Sequence, residues 1–385
     1  MFVPLFILKS ALRHKLRTTL TVVGIVVAIT AFGLLSTIVD AWYANANASS
    51  SARLITRNSV SLVFPLPLTY ASRIRQVPGV AAVAWANWFG GVYISERNFF
   101  AQFAISAPAY LDMYPEFILS ADERKAFLTD RTGAIAGRRL AELYGWKVGD
   151  QIPLRGTIFP GTWTFTLRGI YDGADKGTDQ STFFFHFDYL NESIKKISAR
   201  RGDQTGVFVV QLRDPAQAAE VSEAIDATFK NSLAETLTET EKAFQLGFVA
   251  MTETILLAIQ AVSFVVIVII MAVMANTMAM TARERYGEYA TMKAIGFSNG
   301  FVAFLIVAES LAIALAGGLA GIALTFPLAR AFAEAMGALF PIFFVSDETV
   351  VMQFAAALAI GVVAAGLPAW RAARIRIVDG LRAVG

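Results

Sequence analysis

The chain of 385 residues contains no cysteine and only two histidines, His14 and His186. The lack of cysteine excludes disulfides and thiol chemistry, although it does not identify a compartment. No G-x-x-x-x-G-K-[ST] phosphate-binding loop occurs, so we do not expect the chain to hydrolyse ATP by itself. We also find no constellation typical of a catalytic centre, and we predict no catalytic residue, no bound cofactor and no metal site.

Charge is scarce as well, since 16% of the residues are charged and 56% are hydrophobic. This composition is too apolar for an ordinary soluble domain. A bilayer core of about 30 Å needs roughly 20 apolar helical residues to cross it. The runs that meet this length, with Glu309 as their one charge, are Thr18–Val39, Thr254–Ala282, Gly300–Leu328 and Thr349–Trp370. We therefore predict four membrane-spanning helices.

A long stretch with normal charge content separates the first run from the other three, and it is long enough to bury a core of its own. The predicted fold is an α-helical membrane protein with four transmembrane helices (1+3) and a large α+β extracytoplasmic domain inserted between helices 1 and 2. The predicted segments are an amphipathic helix (1–17), the first spanning helix (18–39), the extracytoplasmic domain (40–245), the second spanning helix with an external extension (246–282), a charged helix (283–297), the third spanning helix (298–328), an external loop (329–348), the fourth spanning helix (349–370) and a tail (371–385).

Lysine and arginine near the helix ends predict the orientation, because these residues accumulate on the cytoplasmic side. They cluster before the first run, between the second and third, and after the fourth. We therefore expect both termini and the charged helix in the cytoplasm and the large domain outside, with the amphipathic helix lying along the inner membrane surface. The alternative for the first run is a cleaved signal peptide, but the run is longer than the roughly 7–15 residues of a signal h-region.

In the large domain, segments rich in β-branched and aromatic residues predict strands, among them Ser59–Phe64 and Trp163–Asp172, and Arg138–Gly145 is typical of a helix that ends at a glycine. Aromatic residues in two of the strand segments could form a hydrophobic substrate patch or fill the core of the sheet, and the second interpretation is favoured. These residues are Trp85, Trp88, Phe89, Phe99, Phe100 and Phe103.

The short charged segment between the second and third runs predicts an amphipathic helix, with large side chains at three-residue steps from Tyr286 to Met292 along one side. Gly296 is expected to end this helix, and Ser298 or Asn299 to cap the next one. The alternative is a solvated connector that only reverses the chain.

The sequence ERYGEYATMKAIGF, Glu284 to Phe297, resembles the E-R-x-x-E-[IV]-[GA]-x-x-[KR]-A-[IV]-G-A pattern of the MacB/FtsX-type permeases of ABC transporters. Three further segments are similar to signatures of that family: Ala11–Ile29, Ala134–Leu154 and Gly366–Arg382. With the 1+3 helix arrangement, the resemblance covers essentially the whole chain. It identifies the chain as a member of the type VII, mechanotransmission ABC family, in the form of a permease subunit without a fused ATPase.

The resemblance implies that a separate ABC ATPase dimer, carrying ATP and Mg²⁺, pushes the charged helix, and that a second permease copy, identical or homologous, completes the transporter in the bacterial inner membrane. The push is expected to travel along one long helix, Glu239 to Ala282, and to move the large domain. That movement would extrude or hand over a lipid, lipoprotein, peptide or drug; a periplasmic adaptor or substrate carrier is an optional partner, and nucleic acid is not expected. The residues implied in ATPase coupling are Glu284, Arg285, Glu288, Tyr289, Met292, Lys293, Ile295 and Gly296.

The alternative within the same scaffold is an FtsX-like signalling protein that activates a cell-wall hydrolase without transport, and the large external domain favours the transporter. Glu309, an acid inside a predicted span, is a candidate functional residue. Because no second intramembrane charge could serve as a relay partner, we favour an interhelical hydrogen bond over proton coupling. Gly317 and Gly321 form a small-xxx-small pair that predicts close helix packing, with a partner helix in the same or a second subunit.

Overall fold

The computed structural model describes residues 15–336 and 340–375. The predicted amphipathic helix, apart from its last three residues, lies outside the described residues, as do positions 337–339 and the last ten of the predicted tail. The described chain divides into two compact units. We call them the helical unit (15–41, 252–336 and 343–375) and the inserted domain (42–251 and 340–342).

The α-helices of the described residues are α1 (Lys15–Ala48), α2 (Tyr70–Ile74), α3 (Ala107–Met113), α4 (Ala121–Thr129), α5 (Arg138–Tyr144), α6 (Phe187–Ile197), α7 (Ala218–Phe229), α8 (Glu241–Ala250), α9 (Glu253–Glu284), α10 (Tyr286–Ala294), α11 (Asn299–Ala335) and α12 (Asp347–Ala373). Four of them, α1, α9, α11 and α12, are long and apolar enough to cross a membrane, which confirms the predicted 1+3 set. Both α1 and α11 are longer than predicted, because they continue to Ala48 and Ala335 instead of ending at positions 39 and 328.

Polar side chains join three of these long helices inside the helical unit. On α12, the Gln353 Nε2 atom donates to the Ile29 carbonyl of α1 and to the Thr325 hydroxyl of α11, both at 2.8 Å. The Thr30 hydroxyl of α1 donates to the Gly321 carbonyl of α11 at 3.0 Å. Because such groups find few partners in an apolar environment, these bonds help to hold the helices in register.

The strands of the inserted domain are β1 (Arg53–Asn58), β2 (Leu66–Pro67), β3 (Val80–Trp88), β4 (Gly91–Val92), β5 (Gln102–Ile105), β6 (Phe117–Ile118), β7 (Gly133–Gly137), β8 (Gln151–Gly156), β9 (Gly161–Gly173), β10 (Phe183–His186), β11 (Gln204–Thr205), β12 (Val207–Leu212) and β13 (Thr236–Thr240). The large mixed sheet has the order β13-β1-β12-β3-β5-β10-β7-β9-β8-β4, with β6 paired to β9, and β2 pairs with β11 separately. With the helices packed on it, this sheet confirms the predicted α+β domain.

Side-chain alternation builds apolar clusters on both faces of this sheet. On β12, Phe208 and Val210 contribute to one cluster while Val209 contributes to another. On β10, Phe183 lies in a third cluster, whereas its neighbour Phe184 joins the one that holds Val209. The domain therefore has a two-sided core of its own.

The strand predicted at Ser59–Phe64 is wrong. The first strand is β1, which ends at Asn58, where the Asn58 side-chain oxygen accepts from the Val60 amide and turns the chain. Val60 and Val63 are exposed, so the β-branched residues that suggested a strand face solvent in a loop. In contrast, the strand predicted at Trp163–Asp172 lies within β9, and α5 ends at Gly145, which adopts a positive φ of 67°.

The long continuous helix predicted from Glu239 to Ala282 is also wrong. Glu239 lies in β13, which pairs with β1, and the helical stretch that follows is divided into α8 and α9. The Thr240 hydroxyl accepts from the Ala243 amide and thereby starts α8. A break at Met251 and Thr252 separates the two helices, so α9 alone forms the second candidate membrane helix.

Candidate functional site

The segment between the second and third membrane helices, Glu284 to Ser298, forms a compact turn that we call the charged turn. It contains α10, which is shorter than the predicted helix because Arg285 leaves the helical conformation and separates α9 from α10. Gly296 follows α10 with a φ of 105°, a region that favours glycine. The Ser298 hydroxyl accepts from the Phe301 amide and caps α11, as predicted.

Arg285 is the central residue of the charged turn. Its Nη1 atom donates to Glu309 Oε2 on α11 at 2.7 Å, and its Nε atom donates to Glu288 Oε2 on α10 at 2.9 Å. The guanidinium also lies 5.3 Å from the centroid of the Tyr289 ring. Only 7% of the Arg285 side chain and 6% of the Glu309 side chain are exposed, so this is a buried ion pair.

The pair agrees with the hydrogen bond favoured for Glu309 and adds a charged partner that the sequence interpretation did not include. From the sequence, no second charge was expected to reach this intramembrane acid, but Arg285 reaches it from the charged turn. The arginine stands outside the uncharged run, so a search limited to that run missed it. Glu309 therefore joins α11 to the charged turn through a charge-assisted hydrogen bond.

A second ion pair attaches α1 to the charged turn. The two terminal nitrogens of the Arg17 guanidinium donate to the two carboxylate oxygens of Glu284, at 2.9 and 2.8 Å. This bidentate geometry fixes orientation as well as distance. Sequence reasoning assigned Arg17 only to the charge that sets orientation, and its position at the start of a span was the available signal for a structural role.

Lys293 joins the charged turn to α12. Its Nζ atom donates to the carbonyls of Ala373 and Ile375, at 2.7 and 2.9 Å. These carbonyls lie at the C-terminal end of α12, where backbone acceptors lack helical partners and where a cation is favoured by the helix dipole. Burial lowers the pKa of the Lys293 ammonium from its ordinary value.

The charged turn is thus connected to each of the four candidate membrane helices. It continues α9 covalently, pairs with α1 through Glu284, with α11 through Arg285 and with α12 through Lys293.

Six of the eight predicted coupling residues fall into an inward and an outward group, while Arg285 and Lys293 make the bonds described above. The stripe from Tyr286 through Tyr289 to Met292 packs against the core of the helical unit. Burial raises the pKa of the Tyr289 phenol to about 12, so the ring is neutral at physiological pH. The outward group consists of Glu284, Glu288, Ile295 and Gly296, together with Phe297, which the prediction did not include.

The outward group gives the charged turn an apolar tip. Ile295 is 73% exposed, and Phe297 beside it is also exposed and stacks on Phe301 at a ring distance of 4.9 Å. Exposed apolar side chains that lie together are typical of surfaces that bind another molecule. The tip is therefore an apolar part of the charged turn that another molecule can reach.

The glycine pair Gly317 and Gly321 on α11 packs against α1 of the same chain. A Cβ atom on Gly317 would lie 2.8 Å from the Ile25 Cβ, and one on Gly321 would lie 3.0 Å from the Ile29 Cβ. The close approach predicted from the small-xxx-small spacing is thus made within one subunit.

The six aromatic residues proposed as a substrate patch do not form one exposed surface. Phe89 and Phe100 are buried in the core of the inserted domain, and Trp85 and Phe103 are half-buried. Only Trp88 and Phe99 are exposed, with ring centroids 6.1 Å apart. The burial of Phe89 and Phe100 agrees with the favoured interpretation, in which these rings fill the core, and it leaves Trp88 and Phe99 as the exposed part of the candidate patch.

Comparison with known proteins agrees with this architecture. A MacB-like periplasmic core domain matches residues 18–228, and an FtsX-like permease C-terminal domain matches residues 261–377. An uncharacterized ABC transporter permease of Methanocaldococcus jannaschii is 22% identical over 98% of this chain and 96% of its own length.

A macrolide export ATP-binding/permease protein MacB of a Shewanella species is 28% identical over 60% of this chain, and the alignment spans only 35% of that protein. Among solved structures, the periplasmic region of MacB from Actinobacillus actinomycetemcomitans covers 53% of this chain and 95% of its own, with 9% identity and a TM-score of 0.38.

Proposed function

Because the chain belongs to the MacB/FtsX-type permeases of ABC transporters, we propose that its charged turn is the coupling element through which a separate ATPase moves the permease. The observation that supports this proposal is the connection of one short turn to all four candidate membrane helices. A loop that only reversed the chain would not need a buried arginine and a lysine bound to a helix end.

In this proposal the ATPase contacts the outward group, in which Glu284 and Glu288 also pair with Arg17 and Arg285. The exposed Ile295 and Phe297 would enter an apolar groove on the ATPase, while Glu284 and Glu288 would meet basic residues around it. The buried Arg285 and Tyr289 would then carry the displacement inward. The charged turn and both termini lie in the cytoplasm, and the inserted domain lies on the opposite, periplasmic side.

The proposed product of coupling is a movement of the inserted domain that extrudes or hands over a hydrophobic or amphiphilic substrate. Two permease copies, identical or homologous, would stand on one ATPase dimer, and ATP and Mg²⁺ would be bound there. The interior of the helical unit supports a mechanical role, since its core is apolar and polar groups such as the Gln353 amide bond between helices.

The test is a pull-down of the tagged full-length chain in mild detergent, with the ATPase activity of the eluate as the readout. We expect an ATPase subunit to co-purify with the wild type, and Ile295→Asp to reduce the recovered activity about tenfold, the effect of 1.4 kcal/mol of lost binding energy. The control is Val63→Asp, at an equally exposed apolar position in the inserted domain. If no ATPase accompanies the wild type, or if Ile295→Asp behaves like the control, the proposal is wrong.

A further inference from the structure

A buried ionic cluster lies in the inserted domain, and the coupling element described above does not include it. Its centre is Arg53, the first residue of β1. The Arg53 Nε atom donates to Glu241 Oε2 at 2.7 Å, Nη2 donates to Glu116 Oε1 at 2.6 Å, and Nη1 donates to the Met113 carbonyl at 2.8 Å. The side chains of Arg53 and Glu241 are 5% and 8% exposed. We call this group the Arg53 cluster.

The remaining acceptor capacity of Glu241 is also used. The Tyr114 hydroxyl donates to Glu241 Oε1 at 2.9 Å, and the Ser50 amide donates to Glu241 Oε2 at 3.1 Å. The Tyr114 ring lies 4.0 Å from the guanidinium carbon of Arg53. Burying charge is unfavourable unless the charge is paired and hydrogen-bonded, and in this cluster both conditions are met.

The position of the cluster in the chain indicates what it holds. Ser50 follows α1, the first membrane helix, by two residues, whereas Glu241 is the first residue of α8, which precedes the second membrane helix. The third component, Met113 to Glu116, lies between α3 and β6 in the body of the domain. The cluster therefore binds the incoming chain, the outgoing chain and the domain together at one point.

We propose that Arg53 and Glu241 are positioning residues that clamp the incoming and outgoing chain to the inserted domain, so that a displacement of α1 or α9 moves the domain as a body. This inference rests on the proposed function, in which the membrane helices drive the domain. Without the clamp, α8 would be held to the domain by its link to the edge strand β13 and by apolar packing such as that of Phe244 against the domain core, and it could shift while the sheet stayed in place.

The first test is hydrogen exchange on the full-length chain in nanodiscs. The variant Glu241→Leu removes the shared acceptor while Arg53 keeps Glu116 and the Met113 carbonyl, so no charge is left unpaired. We expect amide exchange within α8 and at Ser50 to rise about tenfold, and exchange in β9 and β10 to stay at the wild-type rate. A general loss of stability would raise all of these rates together.

Two controls define the result. Glu239→Leu combined with Arg57→Met removes an ion pair that also joins β13 to β1, at 3.0 Å, but that bonds neither to Ser50 nor to Glu116, and α8 should keep its protection. Glu241→Gln can keep its one side-chain oxygen as the acceptor for Ser50 and Arg53 while its amide nitrogen donates to the Tyr114 hydroxyl, so most of the protection should return. If α8 exchanges at the wild-type rate in Glu241→Leu, or if the Glu239 and Arg57 control loosens α8 equally, the clamp is wrong.

The second test measures coupling in the complex with its ATPase. Because the chain has no cysteine, introduced cysteines are the sole sites that a thiol-reactive spin label modifies. We place them at two exposed positions, Lys242 on α8 and Glu223 on α7. We expect ATP to leave the distance between the labels unchanged in the wild type and to change it in Glu241→Leu, where α8 moves without the domain. If the distance between the labels is unchanged in both the wild type and Glu241→Leu, the clamp is wrong. If the proposed function is wrong, the wild type binds no ATPase in the pull-down, and this result precedes the distance measurement.

Discussion

Two arginines with similar surroundings stand in different parts of the molecule. Arg285 in the charged turn and Arg53 in the inserted domain each contact two glutamates and a tyrosine ring. The difference lies in the second glutamate and the tyrosine. Glu288, beside Arg285, has a side chain that is 38% exposed, whereas the cluster around Arg53 is closed by the bond from Tyr114 to Glu241.

This difference teaches that the same residue types can serve two purposes. In the closed cluster each nitrogen of the Arg53 guanidinium donates to a partner, which suits a fixed joint. The open cluster keeps one carboxylate at the surface, where a partner with a basic side chain can compete for it. In the proposed mechanism, the open cluster lies at the contact with the ATPase and can change its partners. The closed cluster lies in the inserted domain and stays fixed.

The largest effect is expected from removing the arginine of the open cluster. Arg285→Met breaks the buried pair with Glu309, and removing one partner of a buried pair costs about 3–5 kcal/mol. Thermal unfolding of the full-length chain in nanodiscs should show this loss. The double variant Arg285→Met with Glu309→Leu should recover most of it, because apolar residues then replace both charges. If the single variant is as stable as the wild type, the pair does not hold α11.

A smaller effect is expected from acidifying a half-open pair in the inserted domain, Arg168 and Asp130, which lie 2.7 Å apart. Burial alone raises the pKa of Asp130, but hydrogen bonds from Arg168 and Thr132 outweigh burial and hold this pKa below its ordinary value. The pair therefore stabilises the domain above the ordinary pKa of about 4, and this contribution disappears as the pH falls through the lower folded-state pKa.

The measurement is the melting temperature of the full-length chain in detergent at pH 7 and near pH 3. From these melting curves, the free energy of unfolding of the wild type should exceed that of Asp130→Asn by no more than about 1 kcal/mol at pH 7. The difference should disappear as the pH falls through the folded-state pKa of Asp130. If the wild type stayed more stable than Asp130→Asn at low pH, the charge of the Asp130 carboxylate would not be the cause of the difference in stability.

The smallest effect on stability is expected at the exposed acid of the open cluster. Glu288→Gln should change the free energy of unfolding by only a few tenths of a kcal/mol, because Arg285 keeps Glu309 and exposed ion pairs contribute little. The comparison predicts a functional effect instead, a weaker association with the ATPase in the pull-down. A loss of stability as large as that of Arg285→Met would show that the two clusters are equally closed.

Much of the helical unit was predictable, because a bilayer imposes length and apolarity on any helix that crosses it. Gly296 predicted the end of α10 because glycine tolerates a positive φ, and Ser298 predicted the start of α11 because its hydroxyl can cap a helix. The role of Arg285 was not predictable in the same way, since Glu309, its partner, is 24 positions away and belongs to another helix.

In the inserted domain the errors share one cause. Ser59–Phe64 has the composition of a strand, but pairing with β12 and β13 selected the preceding residues, and no local signal reveals that choice. The helix predicted from Glu239 is wrong for the same reason, because the pairing of β13 with β1 selected Glu239 for a strand.

The sequence by itself predicts the four spanning helices, the large α+β domain between the first two, the charged segment and the family. These features depend on composition, local backbone preference and sequence motifs. Only the tertiary structure decides which charges meet. Arg17 finds Glu284 across 267 positions and Arg53 finds Glu241 across 188. Such pairs depend on the three-dimensional placement of whole helices and strands, and burial then makes them strong enough to matter.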